Sequence, residues 1–174
     1  MPEQDGNHTR FEAFFHSYKH SVYDFALRML GSSEAAADVV QEVFLRLHNT
    51  LSEDHSEIAD VKAWLFIANR NLCLKSIRAK RSEAPLEAAE NLPGEPDASL
   101  DPDHRDLRKA MTVLDPGHRE ALLLREYSGF NYQEIAGILE ISLPAVKSLL
   151  YKARVELRDT FMKYKAQRDR YELR

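Results

Sequence analysis

The sequence predicts an all-α fold made of two small helical domains joined by a flexible linker. Apolar residues recur at spacings of three and four in both halves of the 174-residue chain, as they do on the buried face of a helix. A proline-containing acidic segment at 83–107 lacks that periodicity. The stretch 131–158 holds two helical repeats with a short break between them. These observations divide the chain into a first domain at 1–82, the linker, and a second domain at 108–174.

The stretch 131–158 has the pattern of a helix-turn-helix. Two sets of apolar residues flank an interruption at 140–142, namely Tyr132, Ile135, Ala136 and Leu139, then Val146, Leu149, Leu150 and Ala153. Ser142 is a good N-cap for the second helix, and Pro144 fits only within its first turn. Glu140 stands where such turns often place glycine, and a left-handed conformation there would cost roughly 1 kcal/mol.

The outward face of the second helix carries hydrogen-bond donors and an aromatic ring. These residues are Lys147, Ser148, Tyr151, Lys152 and Arg154. Side chains of this kind reach phosphates and base edges in a DNA major groove. An ordinary helical hairpin with solvated lysines is the alternative.

In the first half, an apolar stripe from Phe11 to Met29 predicts a long helix that ends at Gly31. A second helix follows and buries Val40, Val43, Phe44 and Leu47. Its opposite face is polar and shows Asp38, Gln41, Glu42 and Arg46. On spacing alone, this face is more typical of simple solvation than of a binding site.

A third helix is predicted from about Val61 to Lys80, after a polar loop at 49–60. Its apolar face is wide enough to pack on both preceding helices. The other side presents Lys62, Asn69, Arg70, Asn71, Lys75 and Arg78. Cations and amides in alternation can follow a phosphate backbone and bind unpaired bases, although a solvated basic face is an equal alternative.

Charge is distributed unevenly along the chain, whose net charge is −4. Segment 83–107 holds eight acidic residues against one arginine, a net charge of −7, so the remainder is +3. Because salt limits the reach of a charge to about 8–10 Å, local basic patches govern phosphate binding more than the total does. The overall acidity therefore does not exclude a nucleic-acid binder.

Other classes of protein are disfavoured. No window has the apolar length of a membrane span and the start of the chain has no signal-peptide core, so we expect a cytoplasmic protein without membrane insertion. Cys73, the single cysteine, lies among apolar residues and is expected to be a packed thiol. No catalytic motif is evident, and we expect no enzyme activity, no cofactor and no metal site.

The chain resembles a bacterial RNA polymerase sigma factor of the extracytoplasmic-function (ECF) type, which keeps only the domains called region two and region four. The motifs are DVVQEVFLRL at 38–47, AWLFIANRNL at 63–72, LDPGHREALLLR at 114–125, YQEIA at 132–136 and AVKS at 145–148. They cover roughly 11–81 and 108–158. The resemblance implies a three-helix domain like region two and a helix-turn-helix domain like region four.

The resemblance also implies roles for individual residues. Positions matching the family's polymerase-binding helix are Asp38, Gln41, Glu42 and Phe44. Those matching contacts with the −10 strand are Trp64, Arg70, Asn71, Lys75 and Arg78, and the loop at 49–60 matches the segment that captures a flipped base. Those matching the −35 duplex are Lys147, Ser148, Tyr151 and Lys152, with Arg119 and Arg154 on phosphates.

The partners implied by the resemblance are core RNA polymerase, through its β′ clamp helices and β flap, promoter DNA, and an inhibitory anti-sigma factor.

Three departures from the family pattern bear on which promoter is chosen. Lys75 replaces a frequent Asp, Leu149 replaces a frequent Arg, and Leu-Pro-Ala at 143–145 replaces the commoner Glu-Gly-Thr. Loss of an arginine donor at Leu149 predicts a different −35 preference.

Two other functions use the same features. A conventional repressor or activator would share the helix-turn-helix but never touch polymerase, so changes at Asp38 or Glu42 would have no effect. A sigma-like decoy that titrates an anti-sigma factor would not need DNA-binding cations, which this chain retains. A non-specific RNA or single-strand binder is a more distant alternative.

Overall fold

The computed structural model describes residues 2–52, 58–83 and 101–172, and it divides the chain into two compact units, Met1–Ser82 and Glu83–Arg174. Every regular element among the described residues is a helix, so the all-α prediction is confirmed. Most of the predicted linker lies outside the described residues.

Unit 1 contains three helices, α1 (Pro2–Leu30), α2 (Ser33–Ser52) and α3 (Val61–Glu83). Helix α1 ends where predicted, because Gly31 adopts a φ of 67° and its N–H still bonds to the Leu27 carbonyl at 2.8 Å. Phe25 of α1 and Phe66 of α3 meet edge to face, with ring centroids 5.5 Å apart. The prediction for Cys73 is confirmed, since the thiol is fully buried in this core.

Helix α2 continues further than the sequence predicted. Its last turn reaches Ser52, so the first four residues of the expected loop at 49–60 are helical, and residues 53–57 lie outside the described residues. Leu51 explains the extension, because it is buried and keeps the helix packed on the core. Asp60 then starts α3 by accepting the Ala63 N–H at 2.9 Å.

Unit 2 contains α4 (Pro102–Val113), α5 (Pro116–Leu122), a π-helical turn (Leu123–Tyr127), α6 (Tyr132–Leu139) and α7 (Leu143–Glu172). Asp101 caps α4 and Asp115 caps α5, and each is followed by a proline, which suits the first position of a helix. The linker was predicted to extend to residue 107, but α4 begins at Pro102.

The turn between α6 and α7 has the predicted geometry. Glu140 is left-handed, with φ 55° and ψ 40°, and the Ile141 N–H bonds to the Ala136 carbonyl at 3.1 Å to close a Schellman motif. Ser142 accepts the Ala145 N–H at 3.3 Å, which confirms it as the N-cap of α7. The helix-turn-helix, including the strained residue in its turn, is therefore present.

The C-terminal residues 160–172 form the last part of α7, and two of their basic side chains make ion pairs with α4. Lys165 pairs with Asp103 at 2.9 Å, while Arg168 pairs with both Asp103 and Asp106 at 2.5 Å. Hydrogen bonds from Lys165 and then Arg168 hold the pKa of Asp103 below its ordinary value of 3.8. The tail is thus an integral part of unit 2.

Candidate functional site

The predicted polymerase-binding residues lie on an accessible face of α2. Asp38 and Gln41 are exposed and Glu42 is partly exposed, with Arg46 donating to Glu42 at 2.7 Å. Leu45 follows at the next position of this face and is 53% exposed. We call Asp38, Gln41, Glu42 and Leu45 the α2 ridge. Leu45 was not among the binding residues predicted from the sequence, although its spacing of three from Glu42 and four from Gln41 places it on the same face of the helix.

Phe44 lies beneath the α2 ridge and is only 4% exposed. Its ring packs edge to face on Phe15 at 4.9 Å and on Phe11 at 6.4 Å between centroids. These rings line part of an open apolar groove of about 680 Å³ between α1 and α2, which Leu45 and Gln41 also border. Phe44 therefore supports this surface from within, and direct contact with a partner would have to come through the groove.

The outer face of α3 presents the predicted −10 residues. Asn71, Lys75 and Arg78 are exposed, whereas Trp64 and Arg70 are half-buried. Arg70 Nη1 donates to Asn71 Oδ1 at 3.1 Å, which fixes the amide so that its NH2 group faces away from the arginine. A row of cations with one oriented amide is the chemistry expected of a surface that binds an unpaired strand.

Asn69 does not belong to that surface, contrary to the sequence interpretation. It is completely buried, and its Nδ2 donates to the Val22 carbonyl of α1 at 2.8 Å. Its Oδ1 lies 3.6 Å from the Cys73 sulfur. A buried amide has to be hydrogen-bonded, and here the bond joins α3 to α1. Asn69 is therefore a structural residue.

Helix α7 presents the predicted −35 residues at its N-terminal half. Lys147, Ser148, Tyr151 and Lys152 are all exposed, and Tyr151 is 70% exposed. Val146 and Leu150 are fully buried on the opposite side. A large aromatic ring that no neighbour covers, between two lysines, is an arrangement suited to base and phosphate contacts.

Arg154 lies on the flank of α7 and bonds to two other elements. Its Nη2 donates to Glu126 Oε1 of the π-helical turn at 2.7 Å. Glu126 and then Tyr132, through side-chain hydrogen bonds, raise the pKa of Arg154 above its ordinary value. The guanidinium is therefore held in a defined position on the surface.

Arg119 occupies an interior position in unit 2 and is 4% exposed. Its Nη2 donates to the carbonyls of Thr112 and Leu114, the latter at 3.2 Å, at the end of α4. A phosphate contact, as the resemblance implied, would require Arg119 to give up these bonds. In this structure the residue joins α5 to α4.

Two further observations limit the chemistry of the described residues. Nowhere in 2–52, 58–83 and 101–172 do three or more His, Cys, Asp or Glu side chains gather in a way that could hold a metal ion. Nor does any helix in those ranges combine the length and apolarity needed to cross a membrane.

Comparison with family models and known proteins agrees with these features. The model described as sigma-70 region 2 matches residues 14–83, and that described as sigma-70, region 4 matches residues 104–157. The chain is 32% identical over 155 residues to the ECF RNA polymerase sigma factor SigM of Bacillus subtilis, covering 84% of this chain and 92% of that protein. It is 31% identical over 140 residues to the ECF sigma factor EcfG of Rhodopseudomonas palustris, covering 79% and 77%.

Solved structures show the same fold. The sigma factor RpoE of Bartonella quintana, solved in complex with the anti-sigma factor NepR, matches with a TM-score of 0.70 and 26% identity, over 88% of this chain and 97% of that one. CnrH, solved in complex with the cytosolic domain of CnrY, matches in fold with a TM-score of 0.67 and 23% identity, over 91% of each chain.

A helical unit with an exposed acidic ridge and a basic helix, followed by a helix-turn-helix unit, defines a two-domain transcription factor of the sigma-70 class. Within that class, the chain belongs to the ECF family of RNA polymerase sigma factors. It binds core RNA polymerase and promoter DNA and directs promoter-specific initiation at −10 and −35 elements.

Proposed function

We propose that each step of initiation uses a separate surface of this sigma factor. The α2 ridge binds the β′ clamp helices of core polymerase, α3 binds the −10 element as a single strand, and α7 reads the −35 duplex. Unit 2 also contacts the β flap. The observation that carries this proposal is the accessibility of the predicted binding residues: all are exposed or partly exposed except Phe44 and Arg119, which are buried.

The α2 ridge has the composition of a specific contact rather than of solvated surface. Two carboxylates and an amide share one face of α2 with an exposed leucine, next to the apolar groove between α1 and α2. Carboxylates steer a basic partner and fix its register, while the apolar area supplies affinity when it is buried. Simple solvation of a polar helix face does not account for an exposed leucine beside an apolar groove.

On α3, we assign Asn71 to a base and Lys75 and Arg78 to phosphates, with Trp64 and Arg70 supporting the same strand. The fixed amide of Asn71 can donate to one base edge and discriminate among bases, whereas a lysine or arginine on phosphate cannot. The segment at 49–60 captures a flipped base in this proposal, and the part of it at 53–57 lies outside the described residues.

On α7, Ser148 and Tyr151 read base edges, and Lys147, Lys152 and Arg154 bind phosphates. The positions from 147 to 152 span about 8 Å along the helix, so the exposed side chains among them enter a single major groove together. Leu149 is half-buried and contributes no donor, which favours a −35 sequence different from one read with an arginine.

We also propose that an anti-sigma factor controls this protein. The Bartonella quintana relative was solved in complex with an anti-sigma factor, and its fold matches this chain. An inhibitor that covers the α2 ridge would block core polymerase directly. We propose that the protein acts in the cytoplasm, where its polymerase and promoter partners are found, and that it positions them without catalysing a reaction itself.

Binding to purified core polymerase tests the first assignment. The double change Asp38→Asn with Glu42→Gln should weaken binding by roughly tenfold or more, since it removes both ridge carboxylates while keeping side-chain size. Asp24→Asn is the matched control, because it removes one exposed carboxylate from α1 and leaves the carboxylates of α2 in place. Equal affinity for the double variant and the wild type would reject the α2 ridge as the contact.

A further inference from the structure

Four side chains from three elements meet beside the helix-turn-helix, and the proposed function uses only one of them. Arg154 of α7 donates to Glu126 of the π-helical turn at 2.7 Å and bonds to the Tyr132 side chain at the start of α6. Arg125 lies over the ring of Tyr132, 5.2 Å from its centroid, and donates to the Phe130 carbonyl at 3.1 Å. The Tyr132 ring thus lies beneath Arg125, and the Tyr132 side chain also favours the charged form of Arg154.

The held guanidinium can still take a further ligand. A guanidinium has five N–H donors, and Glu126 accepts from Nη2. Arg154 and Glu126 are each about half exposed, so solvent reaches the pair. Lys147, Tyr151 and Arg154 follow one another at spacings of four and three on α7, which places them on one flank of the helix. The ion pair therefore lies in line with predicted DNA contacts.

We propose that Glu126 and Tyr132 are positioning residues for recognition of the duplex. They hold the Arg154 guanidinium on the flank of α7, so that it meets a DNA phosphate without first losing side-chain freedom. Arginine is among the residues that lose most rotamer freedom on ordering, and a side chain ordered in advance binds more tightly. This inference rests on the proposed −35 role of Arg154 and extends it to two residues that do not touch DNA.

The test measures binding of the full chain to a −35 duplex over a range of salt concentrations. Glu126→Gln keeps the size of the side chain, and Tyr132→Phe keeps the ring beneath Arg125 while removing the hydroxyl. Each variant should bind roughly threefold to tenfold more weakly. The slope of log K against log salt should become shallower by about 0.9 in Arg154→Gln, as expected for one lost phosphate contact, and by part of that amount in Glu126→Gln and Tyr132→Phe, because an arginine that is no longer held makes the contact for less of the time. Combining either variant with Arg154→Gln should add nothing further.

Asp159→Asn provides the matched control. It removes the acidic partner of Arg158, one turn further along α7, where the two side chains lie 3.1 Å apart. It reports the general effect of removing an exposed carboxylate, which leaves affinity for a polyanion unchanged or raises it. A merely structural effect of Glu126 or Tyr132 would lower the unfolding midpoint but leave the salt slope unchanged.

The outcomes separate this inference from the proposed function. If Arg154→Gln loses a phosphate contact but Glu126→Gln and Tyr132→Phe keep the wild-type affinity and slope, the positioning role is overturned and the role of Arg154 stands. If Arg154→Gln itself binds like the wild type, both are overturned. Should Glu126→Gln fail to fold, Tyr132→Phe, which changes no charge, decides the question.

Discussion

Asn69 and Asn71 lie two positions apart on α3, but their replacement by alanine should have different effects. Asn69→Ala should lower stability, and Asn71→Ala should lower discrimination among promoters. Asn69 is fully buried and donates to the Val22 carbonyl, whereas Asn71 is exposed. Asn69→Ala removes a buried hydrogen bond, worth about 1 kcal/mol, and leaves a void that costs about 1 kcal/mol more. Unit 1 should therefore lose roughly 2 kcal/mol, or about 8–16 °C in Tm for a domain of this size. Asn71→Ala should change stability by less than about 0.5 kcal/mol.

The single tryptophan makes this measurement selective. Trp64 lies on α3, so its fluorescence during urea unfolding reports on unit 1. Asn71→Ala should instead reduce discrimination among −10 sequences by about 1–3 kcal/mol in a promoter-binding assay with polymerase. An unchanged Trp64 midpoint in Asn69→Ala, or an equal loss of stability in both variants, would refute the structural assignment of the buried amide.

Three further changes test separate parts of unit 2. Glu140→Gly should stabilise the unit by about 0.5 kcal/mol in urea unfolding, because relief of left-handed strain exceeds the added freedom of the unfolded chain, and no gain would contradict the strain. The lowered pKa of Asp103 means that its ion pairs stabilise the fold above about pH 4 and that this stability is lost as the pH falls through the folded pKa. Asp103→Asn should therefore reduce the loss of stability between pH 5 and pH 3 seen by circular dichroism, and an unaltered acid transition would count against the pairing. Lys152→Ala should make the salt dependence of duplex binding shallower by about one unit, so an identical slope would mean that Lys152 meets no phosphate.

Features set by local geometry could be predicted from the sequence. Gly31 ends α1 and Ser142 caps α7, as predicted, and Glu140 adopts the left-handed conformation whose cost the sequence analysis considered. Each depends on the conformational preference of a residue and its near neighbours. The helical periodicity of α3 and α6 was reliable for the same reason.

Features set by contacts between residues far apart in the chain could not be predicted from the sequence. Asn69 bonds to a carbonyl 47 residues away in the chain, and Lys165 pairs with Asp103 across 62 residues. No pattern along one helix shows that an amide on its polar edge is covered by another helix. The interior position of Arg119 could not be predicted for the same reason, because it depends on hydrogen bonds to carbonyls at the end of α4.

The predicted C-terminal end of the linker, residue 107, was wrong for a different reason, since α4 begins at Pro102. Asp101 followed by Pro102 is a helix start by capping rules, yet the acidic composition around it outweighed that indication. The structure resolves the conflict through pairing, since Lys165 and Arg168 offset the acids of α4. Composition alone could not show that these acids had partners.

Run-off transcription with purified core polymerase tests whether this chain starts transcription through its α2 ridge. Wild-type protein added to core enzyme should yield transcripts that begin at fixed distances from −10 and −35 elements, and the Asp38→Asn, Glu42→Gln variant should yield far fewer. Transcripts of equal abundance from both proteins would contradict the ridge. No transcripts from the wild type, together with tight binding of free protein to duplex DNA, would contradict the assignment as an initiation factor.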